Sequence, residues 1–199
     1  MPSNTYYYNR VGALYAAIIG PVSGGFRDRA AGSLGLPPDG RLLIVGVGSG
    51  LDLAHFPPET RGVGVDLSDG MLRRAKRRRA ERGMRAFELR RMDAQALAFP
   101  DASFDAVYLP LIVTVADDRA RVLAEAARVA KPGARVVILD KLWPEEKGRP
   151  TLVSSLSALT GRVATHIDRR FYEIHAGAPH LEVLSDSPAP SRDTYNSSR

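Results

Sequence analysis

Cysteine is absent from the 199 residues, which excludes disulfides, zinc–thiolate sites, iron–sulfur ligation and a cysteine nucleophile together. Long apolar runs are missing as well. The longest uncharged stretch, Val11 to Phe26, contains Pro21 and four glycines and falls short of the ~20 apolar residues a bilayer-spanning helix requires. The histidines, His55, His166, His175 and His180, lack metal-ligand spacing of the H-E-x-x-H kind, so no metal site is expected. No secretory n-region and h-region precede Arg10, which sets the expectation of a cytoplasmic protein. With 44% hydrophobic and 25% charged residues, the composition is that of an ordinary globular chain. A chain this long can bury roughly 70% of its unfolded surface and needs no staple.

Charge is abundant but uneven. The segment from Arg73 to Arg91 carries ten basic residues against two acids, more than accounts for the +6 of the whole chain. Such a field attracts phosphates, and two readings stay open: a solvated helix face, or contact with an anionic membrane surface. Nucleic acid is disfavoured, because the segment has neither interleaved aromatics nor a reading module.

From Arg41 onward, short apolar runs alternate with helical patterns. Strands are expected at Leu42 to Val47, Gly62 to Val65, Ala86 to Met92, Phe104 to Leu109 and Ala134 to Leu139. Helices are expected from Asp52, from Asp69 to about Arg82, and from about Asp118 to Ala130. This is the order of a doubly wound α/β sheet, mostly parallel. Lys131-Pro132-Gly133 reads as a helix stop. Further on, helices are expected near Leu152 to Arg162 and Arg169 to Ala176, with a strand at Leu181 to Leu184. The organisation expected is a helical cap over 1–40, a ligand-binding domain over 41–184 and a disordered tail over 185–199.

The first strand runs into Gly46, Gly48, Ser49 and Gly50, a loop whose backbone can approach a ligand closely. The second strand ends in Asp66, 20 residues after Gly46. A carboxylate at that edge can accept hydrogen bonds from both hydroxyls of a ribose. The spacing is G-x-G-x-G rather than the dinucleotide G-x-G-x-x-G, with Leu51 in place of the third glycine, and no Lys-Ser/Thr follows as a P-loop needs.

Taken in order, these motifs resemble the class I S-adenosylmethionine-dependent methyltransferases over about Arg41 to Leu139. The resemblance implies a Rossmann-like sheet of six or seven strands and S-adenosylmethionine as cofactor, with S-adenosylhomocysteine as product. It places Gly46, Gly48, Ser49 and Gly50 along the methionine moiety, Asp66 on the ribose, and Leu67 and Met71 beside the adenine. Asp93, with the Ala94 backbone, takes the adenine amine. Leu109 lies by the cofactor, and Tyr108 to Leu111 approach the sulfonium and the acceptor. Leu67 and Met71 read equally as core residues, and Asp105 as a structural acid at a strand start. The family commonly has an acid two residues before the first glycine; here that position is Ile44. Nothing after Leu184 is apolar enough for the family's usual seventh strand.

The sulfonium methyl is already activated, so the protein chiefly holds a nucleophile about 3–3.5 Å from it and excludes water. Leu109-Pro110-Leu111-Ile112 replaces the Asn/Asp-Pro-Pro-aromatic of DNA-base methyltransferases with an apolar stretch, pointing to an acceptor with a greasy body. Tyr7, Val11, Leu14, Tyr15, Ile18 and Val22 recur at helical spacing. The opening Tyr-Tyr-Tyr-Asn-Arg looks like that of the quinone-biosynthesis and bacterial phospholipid N-methyltransferase branches. Tyr7, Tyr15 and Leu111 are therefore candidates for the acceptor side. His166 or Asp168 could take a proton from an ammonium acceptor, while Asp168 reads equally as a helix cap.

The expected function is methylation of an amphiphilic small molecule, first a phospholipid amine, second a quinone precursor. With it goes a peripheral place on the inner face of a membrane, through the arginine segment and the N-terminal helix. A nicotinamide oxidoreductase and a non-catalytic membrane-surface module are the readings of other classes. Sequence leaves the oligomeric state open.

Overall fold

The computed structural model describes residues 24–113 and 115–140. Its centre is a five-stranded, wholly parallel sheet, β1 (Arg41–Val45), β2 (Arg61–Asp66), β3 (Phe87–Arg91), β4 (Phe104–Pro110) and β5 (Ala130–Leu139), in the order β3-β2-β1-β4-β5. The chain winds outward from β1 through β2 to β3, then returns to build β4 and β5 on the other side. The reversal lies between β1 and β4, and open α/β sheets bind ligands in the crevice at the carboxyl ends of such strands.

The inner strands β1 and β4 carry apolar runs, Leu42 to Val45 and Ala106 to Leu109, because both their faces are covered, while the edge strand β3 is largely charged and exposed. Leu43 and Val45 of β1 join Val107 and Leu109 of β4 in one core, closed by Val122, Leu123 and Ala126 of α3 (Arg119–Val129). Their alternate neighbours, Leu42, Ile44, Ala106 and Tyr108, face the second core. It is closed by Leu34 after α1 (Gly24–Ser33), by Leu53 in a 3-10 turn (Leu51–His55), and by Leu72 of α2 (Asp69–Glu81). Ser68 caps α2 by accepting from the Met71 amide at 3.2 Å, and Asp118 caps α3 by accepting from Arg121 at 2.9 Å.

Three expectations change in the structure. The helix looked for from Asp52 is a single 3-10 turn. Pro57 forces Phe56 into extended backbone (φ −119°, ψ 145°) and stops it. Lys131-Pro132-Gly133 does end α3, but it belongs to β5 as an irregularity. Phe104 pairs with Ala130 and Ala106 with Arg135, and Gly133 takes φ +78°. Helix α1 falls in the range expected for a helical cap, but its own bounds carry no signal in the sequence, since apart from Phe26 it has no large apolar residue and the side chain it buries is Arg27. The cap, the tail and any sixth or seventh strand fall outside the described residues, except that α1 lies within the cap's range. Among the described residues no helix is long and apolar enough to cross a membrane.

Asp105 is the strand-start acid of β4. It accepts from the Arg41 amide at 2.9 Å and from Lys131 Nζ at 2.7 Å, joining β1, β4 and β5 at the edge away from the crevice. The Lys131 hydrogen bond, followed by that of Arg41, holds its carboxyl below the usual aspartate range. A lowered folded pKa contributes stability above the unfolded value, and that contribution is lost as pH falls through the folded value. Asp105→Asn should therefore cost about 0.5–1 kcal/mol at pH 7, modest because Lys131 is solvated. Urea melts should show the difference from wild type vanishing in acid.

Candidate functional site

The crevice is built from the turns after β1, β2, β3 and β4. After β1 the amides of Gly46 and Val47 both donate to Val65 O at 2.9 Å, so the glycine loop folds over the end of β2. There Asp66 receives the Gly48 amide on Oδ2 at 2.9 Å and the Ser68 amide on Oδ1 at 2.8 Å. The Leu67 amide also favours its charged form, and since a carboxylate offers about four acceptor sites, the group keeps capacity for an outside hydroxyl. Burial raises the Asp66 carboxyl above the usual aspartate range, against the lowering effect of these amides.

The three glycines are needed for different reasons, and all have left-handed backbones. A Cβ on Gly46 would meet Ile112 Cβ at 2.7 Å, so Ile112 lies over that end of the loop. One on Gly50 would meet Ala75 Cα at 3.0 Å; this glycine lets α2 pack against the loop. One on Gly48 would have only Gly46 O nearby, at 3.9 Å, leaving open space. Arg78 Nη1 donates to Ser49 O at 2.5 Å and holds the loop from α2.

After β2, Leu67 is 42% exposed, the large apolar side chain most open to solvent among the described residues. Half-buried Met71 follows on the first turn of α2. After β3, Asp93 Oδ1 accepts from the Gln95 amide at 2.9 Å and from Gln95 Nε2 at 3.2 Å. Gln95 in turn accepts the Asp118 amide on Oε1 at 3.0 Å, anchoring the turn to α3. Ala94 is half-buried against the core. Glu125 and Arg128 hold the chain beyond it. Glu125 accepts the Leu97 amide at 2.7 Å, and Arg128 donates to Leu97 O and Phe99 O, each at 2.8 Å.

After β4, Leu111 adopts φ +57°, a conformation that costs a leucine of order 1–3 kcal/mol. Its amide donates to Leu139 O at 2.7 Å. The Leu109 side chain is fully buried in the core, so what it could present to a ligand is backbone. The structure thus brings Gly46, Gly48, Ser49, Gly50, Asp66, Leu67, Met71, Asp93, Ala94, Leu109 and Leu111 to one edge. Tyr7, Tyr15, His166 and Asp168 lie outside the described residues.

A buried polar set was not foreseen. Asp52, 4% exposed, pairs with Arg27 of α1, and Tyr108 Oη donates to Asp52 Oδ1 at 3.0 Å. Burial, and then the Asp52 charge, push the Tyr108 hydroxyl well up, keeping it a donor. Individually these residues carry no motif; an aspartate straight after a glycine loop was the one available signal. His55 Nδ1 pairs with Asp28 at 2.5 Å. Among the described residues no cluster of three His, Asp or Glu side chains could hold a metal ion.

The arginine segment is largely committed to the fold. Arg79 donates to Phe87 O at 3.1 Å and Arg82 to Phe56 O at 3.2 Å, while Arg77, Arg90 and Arg91 pair with Glu81, Glu88 and Asp69. Arg73, Arg74, Lys76 and Arg85 are exposed.

Comparison with known proteins gives a consistent result. The methyltransferase domain family matches residues 43–138. A phosphatidylethanolamine N-methyltransferase of Cereibacter sphaeroides is 34% identical over 177 residues, covering 88% of this chain and 86% of that protein. A ubiquinone/menaquinone biosynthesis C-methyltransferase of Desulfotalea psychrophila is 38% identical over 114 residues, covering 55% of this chain and 45% of that one. In fold, the chain resembles a geranyl diphosphate C-methyltransferase of Streptomyces coelicolor, solved with S-adenosylhomocysteine. The TM-score is 0.68 at 20% identity, over 80% of this chain and 59% of that one.

The glycine geometry separates two outcomes. Gly48→Ala should cost about 1–2 kcal/mol of stability, the left-handed penalty alone. Gly50→Ala should cost about 2–4 kcal/mol, because overpacking against Ala75 adds to it. Denaturant unfolding of both variants checks the order.

Proposed function

Because the chain belongs to the S-adenosylmethionine-dependent methyltransferases, we propose that it methylates the amine of a phospholipid, with phosphatidylethanolamine as acceptor. The observation that carries this reading is the match, nearly end to end on both sides, with a phosphatidylethanolamine N-methyltransferase. The quinone enzyme matches little more than half of the chain, an extent that a shared cofactor-binding half alone would produce.

The residues fit the cofactor. Space is open over Gly48, Asp66 keeps acceptor capacity beyond its own amides, and exposed Leu67 offers an apolar face. Asp66 would hold the ribose diol, Leu67 and Met71 would flank the adenine, and Asp93 with the Ala94 backbone would receive its amine. The loop from Gly46 to Gly50, Ser49 included, would lie along the methionine moiety, with the Leu109 backbone nearby. When bound, the cofactor supplies a methyl carbon activated by its sulfonium; the acceptor nitrogen takes it as the carbon–sulfur bond breaks, and the surplus proton leaves the ammonium product.

The chain's own work is to orient the acceptor and exclude water. Apolar Leu111 and Ile112 would form the wall for the lipid's body, joined by Tyr7 and Tyr15. His166 or Asp168 would receive the proton. Exposed Arg73, Arg74, Lys76 and Arg85 would add roughly 1 kcal/mol each near an anionic membrane, holding the enzyme peripherally at its substrate.

Only ionised Asp66 accepts both hydroxyls. S-adenosylhomocysteine affinity should therefore fall as pH drops through its raised pKa, at a higher pH than an ordinary aspartate near ~3.9 would give. Asp66→Asn should be flat across that window. Asp66→Ala should weaken binding by about one to three powers of ten, measured by calorimetry. Incubation with labelled methyl donor and a total lipid extract should place label in N-methylated phosphatidylethanolamine. Label confined to the quinone fraction, or absent despite cofactor binding, overturns the lipid reading.

A further inference from the structure

Asp52 is buried just past the glycine loop, and its two oxygens are engaged by different parts of the fold. Arg27 reaches it from α1, and the Tyr108 hydroxyl reaches it from β4 at 3.0 Å. Both partners are buried as well, Arg27 at 6% and Tyr108 at 0% exposure. Burying a charge pair brings no stability that well-packed apolar groups of similar volume would not match. The set is therefore better understood by what it holds in place than by what it adds to folding.

What it holds is the far end of the glycine loop. The near end is fastened to β2 by three amides, those of Gly46, Val47 and Gly48. Beyond Gly48 the ties from outside the loop are Arg78 on Ser49 O and the Asp52 pair. Gly50, at φ +80°, leads straight into the turn that carries Asp52, so the direction of the Gly50 backbone follows the position of that carboxylate. The place where Tyr108 reaches across is equally specific. Tyr108 stands in register with Ile44 on the neighbouring strand, and both side chains belong to the same core. Strand β1 contributes no polar group there; the carboxylate arrives from the loop's other side.

We propose that Arg27, Asp52 and Tyr108 are positioning residues that set the glycine loop for the cofactor's amino-acid end. This rests on the cofactor assignment above and not on the identity of the acceptor. The three tie α1, the loop and β4 at a single carboxylate. Tyr108 is followed directly by Leu109 to Leu111, so the same set joins the cofactor loop to the strand end that forms the acceptor wall.

The test is calorimetric titration of the full chain with S-adenosylhomocysteine, alongside thermal melting of each variant. Tyr108→Phe keeps the ring that fills the core and removes one donor. It should weaken binding about five- to tenfold while leaving the chain folded, with a melting temperature modestly lowered because a buried Asp52 oxygen loses its donor. Asp52→Asn, which loses the charge paired with Arg27 but keeps an oxygen able to accept from Tyr108, should weaken binding further, and adding Tyr108→Phe to it should weaken binding again. Asp105→Asn, at the opposite edge of the sheet, should lose stability yet bind within about twofold of wild type. If Asp52→Asn does not fold, Tyr108→Phe decides by itself. Wild-type affinity in folded Tyr108→Phe overturns the proposal. Absence of binding by the folded wild-type chain overturns the cofactor assignment instead.

Discussion

One carboxylate joins the parts of this fold that face the crevice. Asp66 closes β2, receives the Gly48 amide from the loop after β1, and receives the Ser68 amide at the start of α2. The loop and the helix therefore take their positions from the same two oxygens. Burial opposes ionisation of that group, and the amides of Ser68, Gly48 and Leu67 favour it. The charge is kept without a neighbouring cation, and the side chain stays receptive to external donors. A lysine or arginine partner would have stabilised the carboxylate more simply, but would have taken up the acceptor capacity that the proposed ribose contact uses.

Much of this arrangement was legible in the residues. Leu42 to Val45 and Ala106 to Leu109 are apolar without interruption, as a strand covered on both faces requires. The rule for doubly wound sheets then makes β1 and β2 neighbours, as they are. The distance from Gly46 to Asp66 is that of one loop, one crossover and one strand, so loop and acid meet at one edge. Other features were hidden for physical reasons. Helix α1 packs through Arg27 and Leu34 and shows no apolar stripe. Its ion pair with Asp52 spans 25 residues, and the Tyr108 bond to Asp52 spans 56; local periodicity does not encode contacts at that range. The left-handed turn at Leu111 is imposed by tertiary context on a residue whose intrinsic preference opposes it.

The arginine segment shows why a count of charges says little about what they do. Guanidinium groups of α2 satisfy carbonyls of Ser49, Phe56 and Phe87, each in a turn or strand next to the helix. Arginine can do this with several donors in a planar fork, which lysine lacks. The other cations of the segment, Arg73, Arg74, Lys76, Arg77, Arg85, Arg90 and Arg91, face outward, three of them beside a surface carboxylate, so the field the segment projects is less than its count of charges.

The bend at Leu111 separates shape from chemistry in the stretch proposed as the acceptor wall. Its path is held by backbone, through the bond from the Leu111 amide to Leu139 O and the end of the strand at Pro110. Side chains at 111 and 112 hang from that frame, Ile112 also covers Gly46, and the left-handed backbone at 111 keeps β-branched residues out. Under the proposed role, exchange at these positions among residues that tolerate the bend would alter what a substrate meets without rebuilding the frame, a low-cost route from one clientele of substrates to another.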